Sequence, residues 1–370
     1  MKIPFANFKA MHNPLKQRMV QAFEEVYDSN WFILGERVKK FEEDYAAFNH
    51  TKFALGISNG LDALHIALRT LHIGSGDEVI VPSNTYIATA LAVSYTGATP
   101  VFVEPDLNTY NIKAAQIENA ITGKTKAIMP VHLYGQCCEM NAIMDLAAKS
   151  GIHVIEDNAQ AQGATYLGKQ SGSFGTLNAT SFYPGKNLGA LGDAGALTTN
   201  NEVFYQEAMK LRNYGSAKKY IHETIGFNMR MDECQAAFLS IKLEHLPSWN
   251  QQRQQIAAWY NQYLASIEEI SLPVVAAEAT HVYHLYVIRS KERDALQQYL
   301  FQQGIGTLIH YPIPPHLQQA YHTLKFTQGS FPIAEEIANT CLSLPLWPGM
   351  TEQEVQFVAA AIQSFFTRTK

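Results

Sequence analysis

One lysine, Lys186, stands in the run Thr180-Ser181-Phe182-Tyr183-Pro184-Gly185-Lys186-Asn187-Leu188-Gly189-Ala190-Leu191-Gly192-Asp193-Ala194-Gly195. Glycine this dense disfavours a long regular helix, so the spacing predicts an irregular, shaped loop around Lys186. On an open loop such a lysine is a solvated cation. Walled from water by Phe182 and Tyr183 it becomes an amine of lowered pKa and a nucleophile. Gly185, Gly189 and Gly192 would let the backbone approach a flat ligand. Two nucleotide-binding patterns do not fit. A P-loop needs glycine where Thr180 stands and serine or threonine where Asn187 stands. The glycines at 189, 192 and 195 do not have the dinucleotide-fold spacing.

Three other groups sit just past predicted strands. Ser58-Asn59-Gly60-Leu61 is a small polar turn opening a helix, which presents free N–H groups and a positive dipole end to an anion; it also reads as an ordinary N-cap. Tyr86, at the end of Glu78–Val81, can stack on a planar ring or simply pack at a rim. Glu156 and Asp157 end an apolar strand, where carboxylates are costly unless partnered. In an extended segment they point to opposite sides and so do different jobs. One of them can protonate a heterocyclic nitrogen or cap a helix. Ser181 lies five residues before Lys186 and could share the anion of the Ser58-Asn59-Gly60 turn. Taken singly each has a plain structural alternative. Together they describe a phosphate site, an aromatic plate, an acid for a ring nitrogen and a lysine amine, the set that pyridoxal 5′-phosphate requires.

The elements that must position these groups alternate. Apolar periodicity predicts helices over 12–30 (Leu15, Met19, Ala22, Phe23, Val26) and over Val38 to Phe48. Strands are expected at 53–57, 78–81, 100–103, 127–131, 153–156, 179–182 and 196–199, with helices from Leu61, Ala88 and Ala142 between them. This pattern predicts an α/β fold with a mostly parallel sheet covered on both faces and ligands beyond the strand carboxyl ends. From about Glu244 the texture changes. A helix over 251–267, a strand over 282–288, a helix over 293–303, a loop at His310-Tyr311-Pro312 and a final helix from Glu352 are expected. The predicted division is a large domain over 1–246 and a smaller α+β domain over 247–370.

The chain has 370 residues, 47% of them hydrophobic and 16% charged, with a net charge of −5. That composition suits a packed enzyme and argues against a nucleic-acid surface or a disordered chain. No run of apolar residues is long enough for a membrane span, and Met1-Lys2-Ile3-Pro4-Phe5 lacks the apolar core of a secretion signal, so a cytoplasmic protein is expected. Cys137, Cys138, Cys234 and Cys341 form no CxxC, and the histidines form no HExxH, so no metal is expected. The cysteines read as reduced packing residues.

The chain resembles the DegT-type sugar aminotransferases, pyridoxal phosphate enzymes of the aspartate aminotransferase fold (fold type I). The resemblance rests on seven ordered motifs: SNGLDAL (58–64), GDEVIVPSNTYIAT (76–89), PVHLYGQ (130–136), VIEDNAQAQGA (154–164), SFYPGKNLGALGDAGAL (181–197), GFNMRMDECQAA (226–237) and HYPIPPH (310–316). It implies that Lys186 forms a Schiff base with the cofactor, Asp157 pairs with its ring nitrogen, Gln160 contacts its ring hydroxyl and Tyr86 stacks on it. It implies a phosphate held by Ser181, the backbone of Gly60 and Leu61, and Asn228 from a partner subunit, hence a homodimer with shared sites. Many relatives have serine or threonine where Leu61 stands, so only the backbone can serve there. The implied reaction moves an amino group from L-glutamate to a nucleotide-linked ketosugar. The glycine-rich motif looks most like members that aminate C3 of a dTDP-linked 3-keto-6-deoxyhexose, for O-antigen or other glycans; amination at C4 is the second reading. Tyr183, His310, Tyr311 and His316 are candidates for the sugar pocket. The sugar dehydratases of the family carry histidine in place of the lysine, so Lys186 argues against that reaction.

Overall fold

The computed structural model describes residues 1–368. Its strands are β1 (Phe53–Ile57), β2 (Glu78–Pro82), β3 (Thr99–Val103), β4 (Thr125–Ile128), β5 (His153–Asp157), a small hairpin β6 (Thr165–Tyr166) and β7 (Lys169–Gln170), then β8 (Leu177–Ser181), β9 (Gly195–Thr199), β10 (Ile270–Ser271), β11 (Tyr286–Ser290) and β12 (Cys341–Leu344). Seven of these form one sheet in the order β1-β9-β8-β5-β4-β2-β3. The pairs β3·β2, β2·β4, β4·β5 and β5·β8 are parallel, while β9 runs antiparallel to both β8 and β1. The sheet is therefore mixed and mostly parallel. Val79, Ile80 and Val81 of β2 are all fully buried, as a strand covered on both faces demands.

The helices are α1 (Lys9–His12), α2 (Lys16–Ser29), α3 (Glu36–Phe48), α4 (Gly60–Thr70), α5 (Ile87–Tyr95), α6 (Ala114–Glu118), α7 (Met140–Ser150), α8 (Glu202–Leu211), α9 (Glu233–Leu243), α10 (Leu246–Leu264), α11 (Arg293–Gln302), α12 (Pro332–Thr340) and α13 (Glu352–Arg368). The helix expected over 12–30 is broken by Pro14, which has no N–H to donate, into α1, a 3-10 turn over Asn13–Leu15 and α2. Asn30 ends α2 in the left-handed conformation at φ 55°. Leu15, Met19, Ala22 and Val26 are buried as expected, but Phe23 at the stripe's edge is exposed.

One core cluster gathers α10, α11 and α13 against the antiparallel sheet β10-β11-β12 and includes Ile3 from the amino terminus. Ile3 N–H donates to Gly304 O at 2.9 Å and Gly306 N–H to Ile3 O at 2.8 Å, so the first residues pack with the last hundred. The strand expected over 282–288 begins late, at Tyr286. Tyr283 has φ 45°, and the N–H groups of Val282 and Leu285 donate to the Gly135 and Tyr134 carbonyls at 2.8 and 3.2 Å. That stretch pairs with the Tyr134-Gly135 segment instead of joining the small sheet.

Candidate active site

The carboxyl ends of β1, β2, β5 and β8 carry the groups. After β1 the chain turns at Asn59, whose side chain caps α4 by accepting from Asp62 N–H at 2.9 Å. Helix geometry leaves the N–H groups of Gly60 and Leu61 without an intrahelical acceptor. A Cβ at Gly60 would come within 2.6 Å of Ser181 Cβ, and one at Gly195 within 2.5 Å of the Asn59 carbonyl carbon. Only glycine lets the start of α4 and the end of β8 meet this closely. The result is a cradle of free N–H groups and the Ser181 hydroxyl, the geometry an anion takes.

Glu156 and Asp157 do point to opposite sides. Glu156 accepts from His132 Nε2 and Gly172 N–H, both at 2.7 Å, and from Phe174 and Gly175 N–H at 2.6 and 2.8 Å. His132 Nδ1 accepts from Cys138 N–H at 3.1 Å, so Nε2 carries the proton it donates. Glu156 is thus a fully paired structural anchor. Asp157, 6% exposed, accepts from Thr89 Oγ1 at 2.8 Å and from Ala159 N–H at 3.2 Å. Burial pushes its pKa up, against the pull of Thr89, Ala159 and the Lys186 cation. A buried carboxylate in this condition gains from a cationic ring nitrogen. Thr89 escaped the sequence reading. It lies three residues after Tyr86, in the first turn of the helix that Tyr86 opens, and a buried hydroxyl there has no sequence signal of its own.

The Lys186 loop is closed by Lys186 N–H donating to Tyr183 O and Ala190 N–H to Phe182 O, each at 2.8 Å. A Cβ at Gly189 would overlap the Pro184 carbonyl. Lys186 is partly exposed, yet its surroundings exclude enough water to bring its pKa down to about 8, with Asp157 opposing that shift. The expected shield is different in kind. Phe182 turns into the core, edge-on to Phe41 and Tyr45 at 5.4 and 5.2 Å, and Tyr183 is 59% exposed. Two histidines stand in the Lys186 field instead. Burial and the lysine charge lower the His284 pKa well below the usual range and that of His310 to about 4. His284 was not foreseen. Its backbone reaches the site only because Gly135 has no Cβ, which would lie 2.8 Å from His284 N.

Gln160 bridges two distant segments: its carbonyl accepts from Tyr134 N–H at 2.7 Å and its amide donates to the Tyr311 hydroxyl at 3.1 Å. The Tyr311 and Tyr86 rings lie 5.2 Å apart. Tyr86, 54% exposed, forms one wall of a cavity of about 200 Å³ with Tyr311, Pro312 and Ile313. His310 Nδ1 bonds Ser343 Oγ at 2.8 Å. His316 does not belong to this group. It is 1% exposed, bonded to Glu335 at 3.0 Å and enclosed by Phe102, Phe326 and Phe331, so its ring is committed to the core and the sugar-pocket assignment is corrected. Asn228 is exposed, with its backbone paired to Asn213. Among the described residues no His, Cys, Asp and Glu side chains gather in a group of three or more that could hold a metal ion.

The donor set fits pyridoxal phosphate: an anion cradle, a buried carboxylate and an amine of lowered pKa. Comparison with known proteins decides the family. Residues 13–363 match the DegT/DnrJ/EryC1/StrS aminotransferase family. The chain belongs to that family. This aminotransferase is 52% identical to the dTDP-3-amino-3,6-dideoxy-alpha-D-galactopyranose transaminase of Aneurinibacillus thermoaerophilus, over 98% of its own length and 99% of the relative's. It is 46% identical to the dTDP-3-amino-3,4,6-trideoxy-alpha-D-glucose transaminase of Streptomyces venezuelae, over 99% and 97% of the two chains. Its fold matches the structure of S. venezuelae DesV in complex with a ketimine intermediate, with a TM-score of 0.96, 46% identity and 98% of both chains covered. The aminotransferase depends on pyridoxal phosphate, and its architecture is fold type I.

Proposed function

We propose that this aminotransferase moves an amino group from L-glutamate to C3 of a dTDP-linked 3-keto-6-deoxyhexose, supplying an aminodeoxysugar for a surface glycan. The observation that carries this reading is the pair of relatives that match nearly end to end at 52% and 46% identity, both named for dTDP-3-amino sugars.

Pyridoxal phosphate, when bound, supplies an aldehyde that captures amines and a ring that takes up electrons. The chain does the rest. Ser181 and the N–H groups of Gly60 and Leu61 would hold the phosphate, joined by Asn228 of a second copy. Tyr86 would cover the ring, Gln160 would meet its hydroxyl, and Asp157 would keep its nitrogen protonated. Lys186 would hold the cofactor through its amine and, as a free amine, would serve as base toward the donor Cα proton and as acid in returning it. Burial lowers the Lys186 pKa to about 8, which makes the free amine more available near neutral pH than in an ordinary lysine. His310 and Tyr311 are neutral hydrogen-bonding groups at the mouth, and exposed Tyr183 stands ready to meet the nucleotide sugar.

The homodimer belongs to the proposal. Val20, Phe23, Tyr27, Trp31 and Phe32 are exposed apolar side chains on and just after α2, a patch that suits a second copy. All four cysteines are free, which suits the reducing cytoplasm. Among the described residues no helix is long and apolar enough to cross a membrane.

The test is incubation of the loaded enzyme with L-glutamate and a panel of dTDP- and UDP-linked 3-keto and 4-keto sugars, with product NMR. Amination of the dTDP 3-keto sugars at C3 is expected. Turnover of 4-keto sugars alone would overturn the proposal.

A further inference from the structure

The stretch that follows Lys186 is tied to α9 at two points. Gln235 Oε1 accepts from Leu191 N–H at 2.9 Å, and Lys242 Nζ donates to Gly189 O at 2.6 Å. Residues seven apart lie on one helix face, two turns along. Helix α9 is itself held firmly. Its Glu233 accepts from the N–H groups of Gly35, Arg37 and Val38 at 2.8 to 3.0 Å.

Lys242 is an unusual residue to find here. It is 1% exposed, and burial lowers its pKa to about 8 with no carboxylate opposing the shift. Its second contact is His12 Nε2 at 3.1 Å. That ring is kept neutral, with a pKa of about 4, by burial and by Lys242 itself, so the Nε2 that faces the ammonium accepts and the ring proton sits on Nδ1. A buried cation without a counter-ion is costly. The group it does hold is the Gly189 carbonyl, at the tightest point of the Lys186 loop. Phe182 O to Ala190 N–H closes that loop, and Lys186 N–H is bonded inside it. A displacement of Gly189 therefore moves the Lys186 backbone.

We propose that Lys242 and Gln235 are positioning residues for Lys186: from one face of α9 they pin the loop and fix the amine against Asp157. The inference rests on the reading of Lys186 as the reactive amine. It adds a reason for the buried cation, because a charged donor holds a carbonyl more strongly than a neutral one. Misplacing a reacting group by about 1 Å can cost on the order of a hundredfold in rate.

The test uses Lys242→Met and Gln235→Met, with circular dichroism to verify the fold. Two readouts are taken. In the cofactor-free chain, amide hydrogen exchange of residues 182–192 should be faster than in wild type, with β5 and β8 unchanged. In the loaded enzyme, the limiting rate of the single-turnover reaction with glutamate should fall by roughly tenfold or more. The half-saturating glutamate concentration should stay within about twofold, since uniform binding is untouched. If Lys242→Met does not fold, Gln235→Met carries the same test alone. Folded variants with wild-type exchange in the loop and a wild-type limiting rate overturn this inference while leaving Lys186 as the amine. A wild-type enzyme that shows no reaction of Lys186 with the cofactor overturns both.

Discussion

The Thr89 hydroxyl donates to Asp157 Oδ2 at 2.8 Å from the first turn of α5. That bond favours the charged carboxylate, and it works against the burial that raises the Asp157 pKa. In Thr89→Val the pKa rises further, so Asp157 is more readily neutralised and stabilises a cationic ring nitrogen less. A hydrogen bond to a charged group contributes about 1.5–3 kcal/mol, so the half-reaction with glutamate should slow by roughly ten- to a hundredfold. The loss should be larger at low pH, where protonation of Asp157 comes first. Stopped-flow rates across pH check this. Equal rates for variant and wild type at every pH would contradict the role of Thr89.

Neighbouring carboxylates should respond in opposite ways to the same change. Glu156→Gln puts amide hydrogens against donors that now surround both carboxylate oxygens. It should lose about 3–5 kcal/mol of stability, with normal turnover per folded site. Asp157→Asn should keep its stability and cofactor but slow proton transfer severely. Denaturant unfolding and single-turnover kinetics on both variants separate the two. A stable Glu156→Gln, or an active Asp157→Asn, would reverse the assignment.

That division of labour was legible in the sequence because alternation along a strand is local physics. The N-cap at Asn59 and the irregular loop around Lys186 were legible for the same reason, while the strand over 127–131 in fact ends at Ile128. What escaped depends on distant contacts. Residues 282–285 read as a strand from their apolar pattern, but their hydrogen bonds go to the Gly135 segment. Strand β12 was missed because Cys341 both ends α12 and begins the strand, leaving no turn residues to mark it. His316 shares a motif with His310 and Tyr311, yet the 3-10 turn over Pro315–Leu317 turns it into the core beside Glu335.

Lys186 should titrate near 8 in the cofactor-free chain, far below an ordinary lysine. Asp157 raises that pKa, so Asp157→Asn should move it lower still. The pH dependence of acylation of the Lys186 peptide, read by mass spectrometry, measures both. A wild-type inflection above about 10, the ordinary lysine value, would contradict the environment described.

The shared site can be tested by mixing. Lys186→Ala and Asn228→Ala homodimers should both be impaired. A purified heterodimer of the two pairs Lys186 of one chain with Asn228 of the other, giving one intact site. Its activity should be roughly half that of wild type if the sites act independently. An active monomer would contradict the shared site, as would a heterodimer without recovery when Asn228→Ala alone is strongly defective.

The most direct measurement follows the nitrogen. Loaded enzyme is given 15N-labelled L-glutamate and a dTDP-linked 3-keto-6-deoxyhexose, and the product is read by 15N-edited NMR. The label should appear on C3 of the sugar with wild type and be absent with folded Lys186→Ala. Label on another carbon, no label in the sugar, or wild-type transfer by Lys186→Ala would contradict the account.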